Sequence, residues 1–205
     1  MTAPKICASD IAFTASVKAI QTRKGSRAAY ERHEERGSWQ TNITPGLHDF
    51  IAAQTSFFLA TANAAGQPYI QHRGGPPGFL RVLAESTLGF AGFTGNRQYI
   101  TQGNLADNPK AHLFLIDYRQ RQRVKIWGNA RVVEGDAELI AKLMPSGYRA
   151  RAEHAIIFTI LAWDVNCPQH IPLRYDAADV TAMLAGSDSR IEALEAEIAR
   201  LRRAE

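Results

Sequence analysis

The chain has 205 residues, of which 45% are hydrophobic and 21% charged, a composition typical of one soluble globular domain. Its formal net charge is +4, and no run of five like charges occurs. This pattern argues against a nucleic-acid-binding protein and favours a local anionic ligand. Two cysteines without a CxxC pair argue against a disulfide framework and against a thiolate zinc site.

The amino-terminal residues lack a basic start followed by an apolar core, and no apolar run approaches the length of a membrane span. We therefore expect a cytoplasmic protein without a membrane partner.

The first part of the chain is predicted to be helical and polar. Helix-forming residues surround one glycine in residues 16–37, and Gly37 suits the end of a helix. A second helix is predicted after Thr44 and Pro45, because threonine is a good N-cap and proline suits the first helical position. Residues 1–44 are thus expected to form an amino-terminal helical extension.

From residue 56 onward, short apolar runs alternate with turn residues, which is typical of strands. Helices are predicted from Arg97, capped by Asn96, to about Ala106, and again near 136–143. Hairpin-connected strands with few helical crossovers predict a mainly antiparallel α+β barrel. The strand segments are "SFFLATAN", "YIQHR", two short runs on either side of "AEST", "AHLFLIDY", "RVKIWGNARVVEG" and "AIIFTILAWDV".

The carboxy-terminal residues 176–205 are predicted to form an amphipathic helix. Ile191, Leu194, Ile198 and Leu201 recur at spacings of three, four and three, with glutamates and arginines between them. Such a helix either packs on its own domain or forms a subunit contact, and the sequence leaves both readings open.

Common catalytic motifs are missing from the sequence. It contains no Walker A loop, no GxGxxG after a strand, no GxSxG and no HExxH. The six histidines are scattered, so we predict no metal site. Cys167 is either a reactive thiol or a buried structural cysteine.

Three features indicate a site for an anion. Arg73 ends a strand and is followed by a loop rich in glycine and proline, where a ligand can approach the main chain closely. "GNRQ" (95–98) is predicted to begin a helix, and helix N-termini bind phosphate. Arg119, Arg121, Arg123 and Lys125 alternate, so they share one face if the segment is extended. Each feature alone is explained by a salt bridge or by solvation, but together they describe a phosphate-sized site.

Four segments carry a resemblance to a known family: "YIQHRGGPPGFLRVL", "GNRQYITQGNLADNPKAHLFLIDY", "RVKIWGNARVV" and "WDVNCPQHIP". They resemble the pyridoxamine 5′-phosphate oxidase-like split-barrel flavoproteins, over roughly residues 45–175. The resemblance implies a six-stranded antiparallel split barrel in that range. It also implies a homodimer with FMN at the subunit interface.

The resemblance also implies cofactor-binding residues. Arg73 and "NRQ" look like counterparts of the family's phosphate-binding groups, and Arg123, with Lys125 on the same face, falls near a flavin contact. The loop "GGPPG" would form a low wall against the cofactor, while Trp163 either covers the flavin ring or lies in the core. The implied residues are His72, Arg73, Gly74, Gly75, Asn96, Arg97, Gln98, Arg123, Lys125 and Trp163.

The function that the resemblance implies is an FMN-dependent oxidoreductase acting on a small molecule. "QHIPLRY" does not match the substrate-binding arginine motif of the vitamin B6 oxidase, so this chain is expected to be a relative with a different substrate. No catalytic acid or base is assigned, although His72 is a candidate. The alternatives are a flavin carrier or sensor without turnover, and a haem-handling protein that uses His72, His112 or His154 as axial ligand.

Overall fold

The computed structural model describes residues 7–37 and 39–203, which form two compact units. The first contains the described residues up to 117 together with 123–167, and the second contains 118–122 and 168–203. The helices are a short 3-10 turn Ala8–Ile11, α1 Ala15–Arg23, α2 Arg27–Glu35, α3 Pro45–Ala53, α4 Ile100–Asp107, α5 Ala137–Leu143 and α6 Ala177–Arg202. The strands are β1 Ser56–Ala62, β2 Pro68–Gly74, β3 Arg81–Ala84, β4 Thr87–Phe93, β5 Lys110–Asp117, β6 Gln122–Val133 and β7 Ala152–Asn166.

The strands form one sheet in the order β2-β1-β5-β6-β7-β4-β3, and the registered pairs in it are antiparallel. The predicted antiparallel α+β class is therefore confirmed. The sheet has seven strands, which is the number of strand segments predicted from the sequence, whereas the resemblance implied six. The shortest strand is β3, with four residues, and it pairs with β4 across the turn at residues 85–86.

The sheet curls so that its two ends face each other across an apolar interior. Phe57 on β1 packs edge-on against Phe90 on β4, with ring centroids 5.1 Å apart. Arg73 on β2 lies opposite Phe57 in the register, and its guanidinium is 6.0 Å from the Phe90 ring. Strands far apart in sheet order thus meet inside a split barrel, whose core also contains Leu59 and Phe158.

The amino-terminal helices differ from the single predicted segment. Gly25 has a φ of +79°, a backbone conformation that interrupts the helix between α1 and α2, whereas Gly37 follows α2 as expected. The helix after Thr44 is confirmed: the Thr44 side chain accepts a hydrogen bond from the Leu47 amide, and Pro45 occupies the first position.

An aromatic cluster covers the outer face of β5 and β6. Trp39 stacks on Trp127 at 4.8 Å, and the Lys125 ammonium lies over both rings. His112 meets the Trp127 ring edge-on at 4.8 Å. Burial, together with the Lys125 charge, lowers the pKa of His112 to about 4. The histidine is therefore neutral near pH 7, and protonation opposes folding.

The basic stripe predicted at 119–125 is only half extended. Strand β6 begins at Gln122, and Arg121 has a φ of 53°, so Arg119 and Arg121 lie in the preceding turn. In that turn Arg119 pairs with Asp179 at 2.6 Å, and Arg121 donates to the Ile171 carbonyl at 3.1 Å. The condition for one four-residue cationic face is not met, because the turn holds Arg119 and Arg121 and only Arg123 and Lys125 lie on the strand.

No helix in the described part of the chain combines the length and apolarity needed to cross a membrane. The expected division of the chain into an amino-terminal extension (1–44), a barrel domain (45–175) and a carboxy-terminal helix (176–205) stays a prediction.

Gly128 and Gly103 provide a matched pair for testing the packing at the β6–β7 bulge. A Cβ at Gly128 would lie 2.1 Å from the Thr159 carbonyl oxygen, which is backbone, whereas a Cβ at helical Gly103 would have nothing within 4 Å. We expect Gly128→Ala to lower the free energy of unfolding by about 1–3 kcal/mol. Gly103→Ala should raise it by up to about 1 kcal/mol. Urea unfolding measures both, and a neutral Gly128→Ala would contradict the close approach.

His112 predicts a pH dependence of stability. Because the folded pKa lies below the ordinary value, the unfolded state binds the proton more readily. The stabilisation is complete above about pH 6.5 and is lost as pH falls from there toward 4. Over this window, we expect the free energy of unfolding of His112→Phe to fall by up to about 3 kcal/mol less than that of the unmodified protein. Urea unfolding at pH 7 and 4.5 measures the difference. Equal losses in both proteins would show that His112 titrates normally.

Candidate functional site

The candidate site is a pocket of about 280 Å³ in the first unit, bounded by β2, the segment after β4, the start of α4 and β7. Tyr69, Gln71 and Arg73 alternate along β2 and line one wall. Period-two alternation puts them on one face of the strand. This is the face that carries Phe57 on the neighbouring strand, so Arg73 is directed toward the barrel interior.

The segment "GNRQY" forms the second wall, in a conformation that differs from the prediction. Helix α4 begins at Ile100 rather than at Arg97. Asn96 accepts a hydrogen bond from the Gln98 amide at 3.3 Å, which forms a local turn. Arg97 and Tyr99 both have left-handed backbones, with φ of 59° and 54°, and these conformations prevent a helix from starting earlier. Asn96, Arg97 and Gln98 nevertheless line the pocket.

The N-terminus of α4 faces the pocket. Tyr99 at the N-cap position makes no side-chain capping hydrogen bond, and the residues that follow it, Ile100 to Gln102, line the pocket. The first amides of a helix have no intrahelical acceptor, and the helix dipole favours a negative charge beside them. A helix start thus lies at the pocket, three residues later than expected, and its use as an anion-binding element stays a prediction.

Two hydrogen bonds hold α4 against the sheet. Thr101 Oγ1 donates to Gln71 Oε1 at 2.9 Å, and Asn104 Nδ2 donates to Thr61 Oγ1 at 3.0 Å. Thr61, Thr101 and Asn104 are buried. Buried polar pairs fix one arrangement, because breaking them leaves unsatisfied groups in an apolar environment. The position of the helix start relative to Arg73 is therefore set by the fold.

Arg73 is the most unusual group in the pocket. Its Nε is buried and has no hydrogen-bond partner among the described residues. Burial lowers the pKa of Arg73, although nearby Tyr69 opposes this shift. The guanidinium remains charged, since arginine does not lose its proton in proteins. A half-buried cation whose Nε–H is unpaired is costly, and an anion in the pocket would offset part of that cost.

His154 supplies a second unpaired donor. Its Nδ1 lies 3.2 Å from Gln102 Nε2, an amide group that can only donate, so Nδ1 accepts and Nε2 carries the proton. His154 Nε2 is buried and has no partner among the described residues. Burial and the charge of Arg73 lower the pKa of His154, which keeps the ring neutral. Both unpaired groups are thus hydrogen-bond donors.

Some of the predicted cofactor residues lie away from this pocket. His72 is exposed on the opposite face of β2, where its ring meets Phe58 edge-on at 5.6 Å. Gly74 and Gly75 do not line the pocket. A Cβ on Gly75 would lie 2.7 Å from Phe79, so this glycine lets the phenylalanine ring enter the core. The packing of Phe79 therefore accounts for Gly75 without a ligand.

Arg123, Lys125 and Trp163 also lie outside the pocket lining. Lys125 pairs with Asp164 at 3.3 Å on the outer face of the sheet. Arg123, two residues earlier on β6, lies on the same face. Trp163 is buried in the core, and its indole nitrogen donates to the Asn42 carbonyl at 2.9 Å. Of the two readings of Trp163, the structure places it in the core.

The three histidines considered as haem ligands occupy separate environments: His72 is exposed, His112 lies on the outer face and His154 lines the pocket. No group of three or more histidine, cysteine or acidic side chains within residues 7–37 and 39–203 is arranged to hold a metal ion.

The sequence reasoning missed several lining residues. Tyr69 and Gln71 could have been found, because they alternate with Arg73 on a predicted strand. Thr101 and Gln102 follow from the later helix start. His154 and Glu153 come from a distant strand, and they reach the pocket only through the pairing of Gly92 with His154. A Cβ on Gly92 would lie 2.1 Å from His154 Nε2, so this glycine makes room for the imidazole.

Comparison with known proteins assigns the family. The family model of pyridoxamine 5′-phosphate oxidase matches residues 43–167, more than half of the chain. The chain therefore belongs to the pyridoxamine 5′-phosphate oxidase family. No curated protein matches the chain.

Solved structures with similar folds are distant in sequence. HupZ from Group A Streptococcus is 23% identical with a TM-score of 0.47, and the match covers 58% of this chain and 89% of HupZ. An FMN-binding protein from Syntrophomonas wolfei is 13% identical with a TM-score of 0.47, over 71% of this chain and 97% of that one. General Stress Protein 26 from Bacillus anthracis is 16% identical with a TM-score of 0.45, over 57% and 88%.

Proposed function

We propose that this protein binds FMN, with the cofactor phosphate in the pocket at Arg73, and acts as an FMN-dependent oxidoreductase on a small molecule. The observation that carries the proposal is the Arg73 side chain, which lines the pocket and whose Nε has no partner among the described residues. A phosphate is a doubly charged acceptor of the right chemistry for this group.

The other pocket groups support a phosphate ligand. Arg97 adds a second guanidinium, and the uncapped start of α4 adds main-chain amides. Glu153 also lines the pocket and opposes an anion. With His154 neutral, the two arginines and one glutamate give the lining a formal charge of +2 − 1 = +1. The residues present therefore fit a phosphate group.

The size of the pocket supports a site shared between subunits. A volume of about 280 Å³ lies just below the range of about 300–1,000 Å³ for small-molecule sites. The flavin ring would extend beyond a pocket that takes up the phosphate. We therefore propose a homodimer with FMN at the subunit interface, in which the outer-face Arg123 and Lys125 act only on the cofactor of a second copy. The expected setting is cytoplasmic.

Bound FMN supplies hydride and electron transfer chemistry. The residues described here would bind and orient the cofactor: Arg73 and Arg97 by charge, α4 by its amides and His154 by a neutral donor. We assign no catalytic acid or base. A carrier without turnover shares all of these groups, so measuring whether FMN-loaded protein oxidises reduced nicotinamide separates an enzyme from a carrier. The absorption spectrum of the purified protein separates flavin from haem.

Arg73 and Arg97 provide the direct test. Charge-assisted hydrogen bonds contribute about 1.5–3 kcal/mol each, so Arg73→Ala or Arg97→Ala should raise the FMN dissociation constant about ten- to over a hundred-fold. Arg73→Lys should recover only part of the loss, because lysine makes no bidentate contact. Fluorescence titration of the apoprotein with FMN and with riboflavin, which lacks the phosphate, measures the effect.

Arg131→Ala is the matched control, because Arg131 is exposed on β6 and lies outside the pocket lining. It should leave FMN affinity unchanged. Riboflavin binding should change little in any of these variants. If Arg73→Ala weakens riboflavin and FMN alike, or if the unmodified protein binds both equally well, the phosphate site at Arg73 is wrong.

A further inference from the structure

Helix α6 carries a long apolar stripe that is exposed. It spans 26 residues, or roughly 39 Å at 1.5 Å per residue. Leu184 is 59% exposed, and the stripe residues Ile191, Leu194, Ile198 and Leu201 are each about half exposed, at 49–53%. Contiguous apolar surface of this kind marks an interaction site in a soluble protein. A lone helix in water is also only marginally stable, and packing of its apolar face supplies most helical stability in proteins.

The stripe follows a heptad pattern. With Leu184, Ile191 and Ile198 at the first core position (a), Val180, Ser187, Leu194 and Leu201 fall at the second (d). Isoleucine at a with leucine at d favours two parallel strands. The pattern is strongest from Ile191 to Leu201, because Ser187 places a hydroxyl in the earlier half, where it donates to the Met183 carbonyl.

The charges beside the stripe select the orientation. In a parallel, in-register pair, the residue before a core a position (g) approaches the residue after the next core d position (e) of the other helix. This brings Arg190 to Glu195 of the second copy and Glu197 to Arg202 of the second copy, both with opposite charges. An antiparallel pair centred at residue 196 instead places Glu195 near Glu195 of the second copy.

The contacts described for α6 leave this seam available. Its first turn is held by Arg119, which pairs with Asp179, and by the Asp176 side chain, which accepts from the Asp179 amide. Near the other end Glu197 pairs with Arg200, an exposed pair on the same helix that contributes little stability. Glu197 would then lie between Arg200 and Arg202 of the second copy.

We propose that α6 pairs with α6 of a second copy of this chain as a parallel, in-register, two-stranded coiled coil, with the core running from Leu184 to Leu201. The proposal does not depend on flavin binding. The seam matches the partner's own seam in shape and charge, which is the property of a two-fold symmetric interface.

Disulfide trapping of the full-length chain tests the orientation. In a Cys7→Ser/Cys167→Ser background, Leu201→Cys places one thiol in the core of the seam, and in a parallel pair the two thiols meet. Ala196→Cys places a thiol on the opposite face of the same helix and is the control. If other parts of the chain also dimerise, the thiols at positions 196 and 201 have the same local concentration, so this control corrects for proximity alone. We expect oxidation to cross-link the first variant at least ten-fold faster, as measured on non-reducing gels. Equal rates, or no cross-link at position 201, would overturn the proposal.

Charge reversal tests the pairing independently. Arg190→Glu should slow the cross-linking at position 201 several-fold, because it places like charges at both symmetric contacts. Adding Glu195→Arg should restore the rate. Residues five apart do not face each other on one helix, so restoration reports contact between helices. A double variant as slow as the single one would show that these charges do not meet. Circular dichroism of each variant verifies that α6 remains helical.

Discussion

Closure of the sheet around a cation is the constraint on which the candidate site depends. Arg73 lies on an edge strand, and an arginine on such a strand ordinarily reaches water. Here the curl of the sheet brings β2 to face β4, and Phe90 lies beneath the guanidinium. The same curl buries the guanidinium Nε with no partner among the described residues, and lowers the pKa of neighbouring His154.

The order of the elements was predictable because their signals are local. Strand alternation and the Thr44-Pro45 helix start depend on residues within a few positions of one another. The start of α4 was not predictable in the same way. Asn96 is a good cap by composition, yet it forms a local turn with Gln98, and the left-handed Arg97 and Tyr99 delay the helix. Nothing in residue preference indicates two left-handed positions occupied by arginine and tyrosine.

Only part of the candidate site was predictable, because some of its residues are brought together by long-range strand pairing. Arg73 and Arg97 could be proposed from charge beside turn residues. His154 could not, because its place in the pocket depends on β7 pairing with β4 at Gly92, a contact between residues 62 positions apart in the chain. In the loop after Arg73, a sequence signal suggested a ligand where Gly75 instead serves the packing of the chain itself. Its glycines suggested a ligand, but Gly75 is required by Phe79, and the amides of Gly75 and Gly78 donate to the carbonyls of Thr55 and Ala52. A composition signal cannot distinguish a ligand from the chain's own side chain.

The two proposed interfaces are linked by symmetry. A parallel coiled coil and a cofactor site shared between identical subunits both require a two-fold axis, and one dimer can satisfy both. Each interface then raises the effective concentration for the other, because the second contact becomes intramolecular. The pocket at Arg73 is small for a whole flavin, so in the proposed dimer a second copy would complete the cofactor site. A helical tail that holds two copies together would therefore favour cofactor retention at low protein concentration without any α6 side chain touching the flavin.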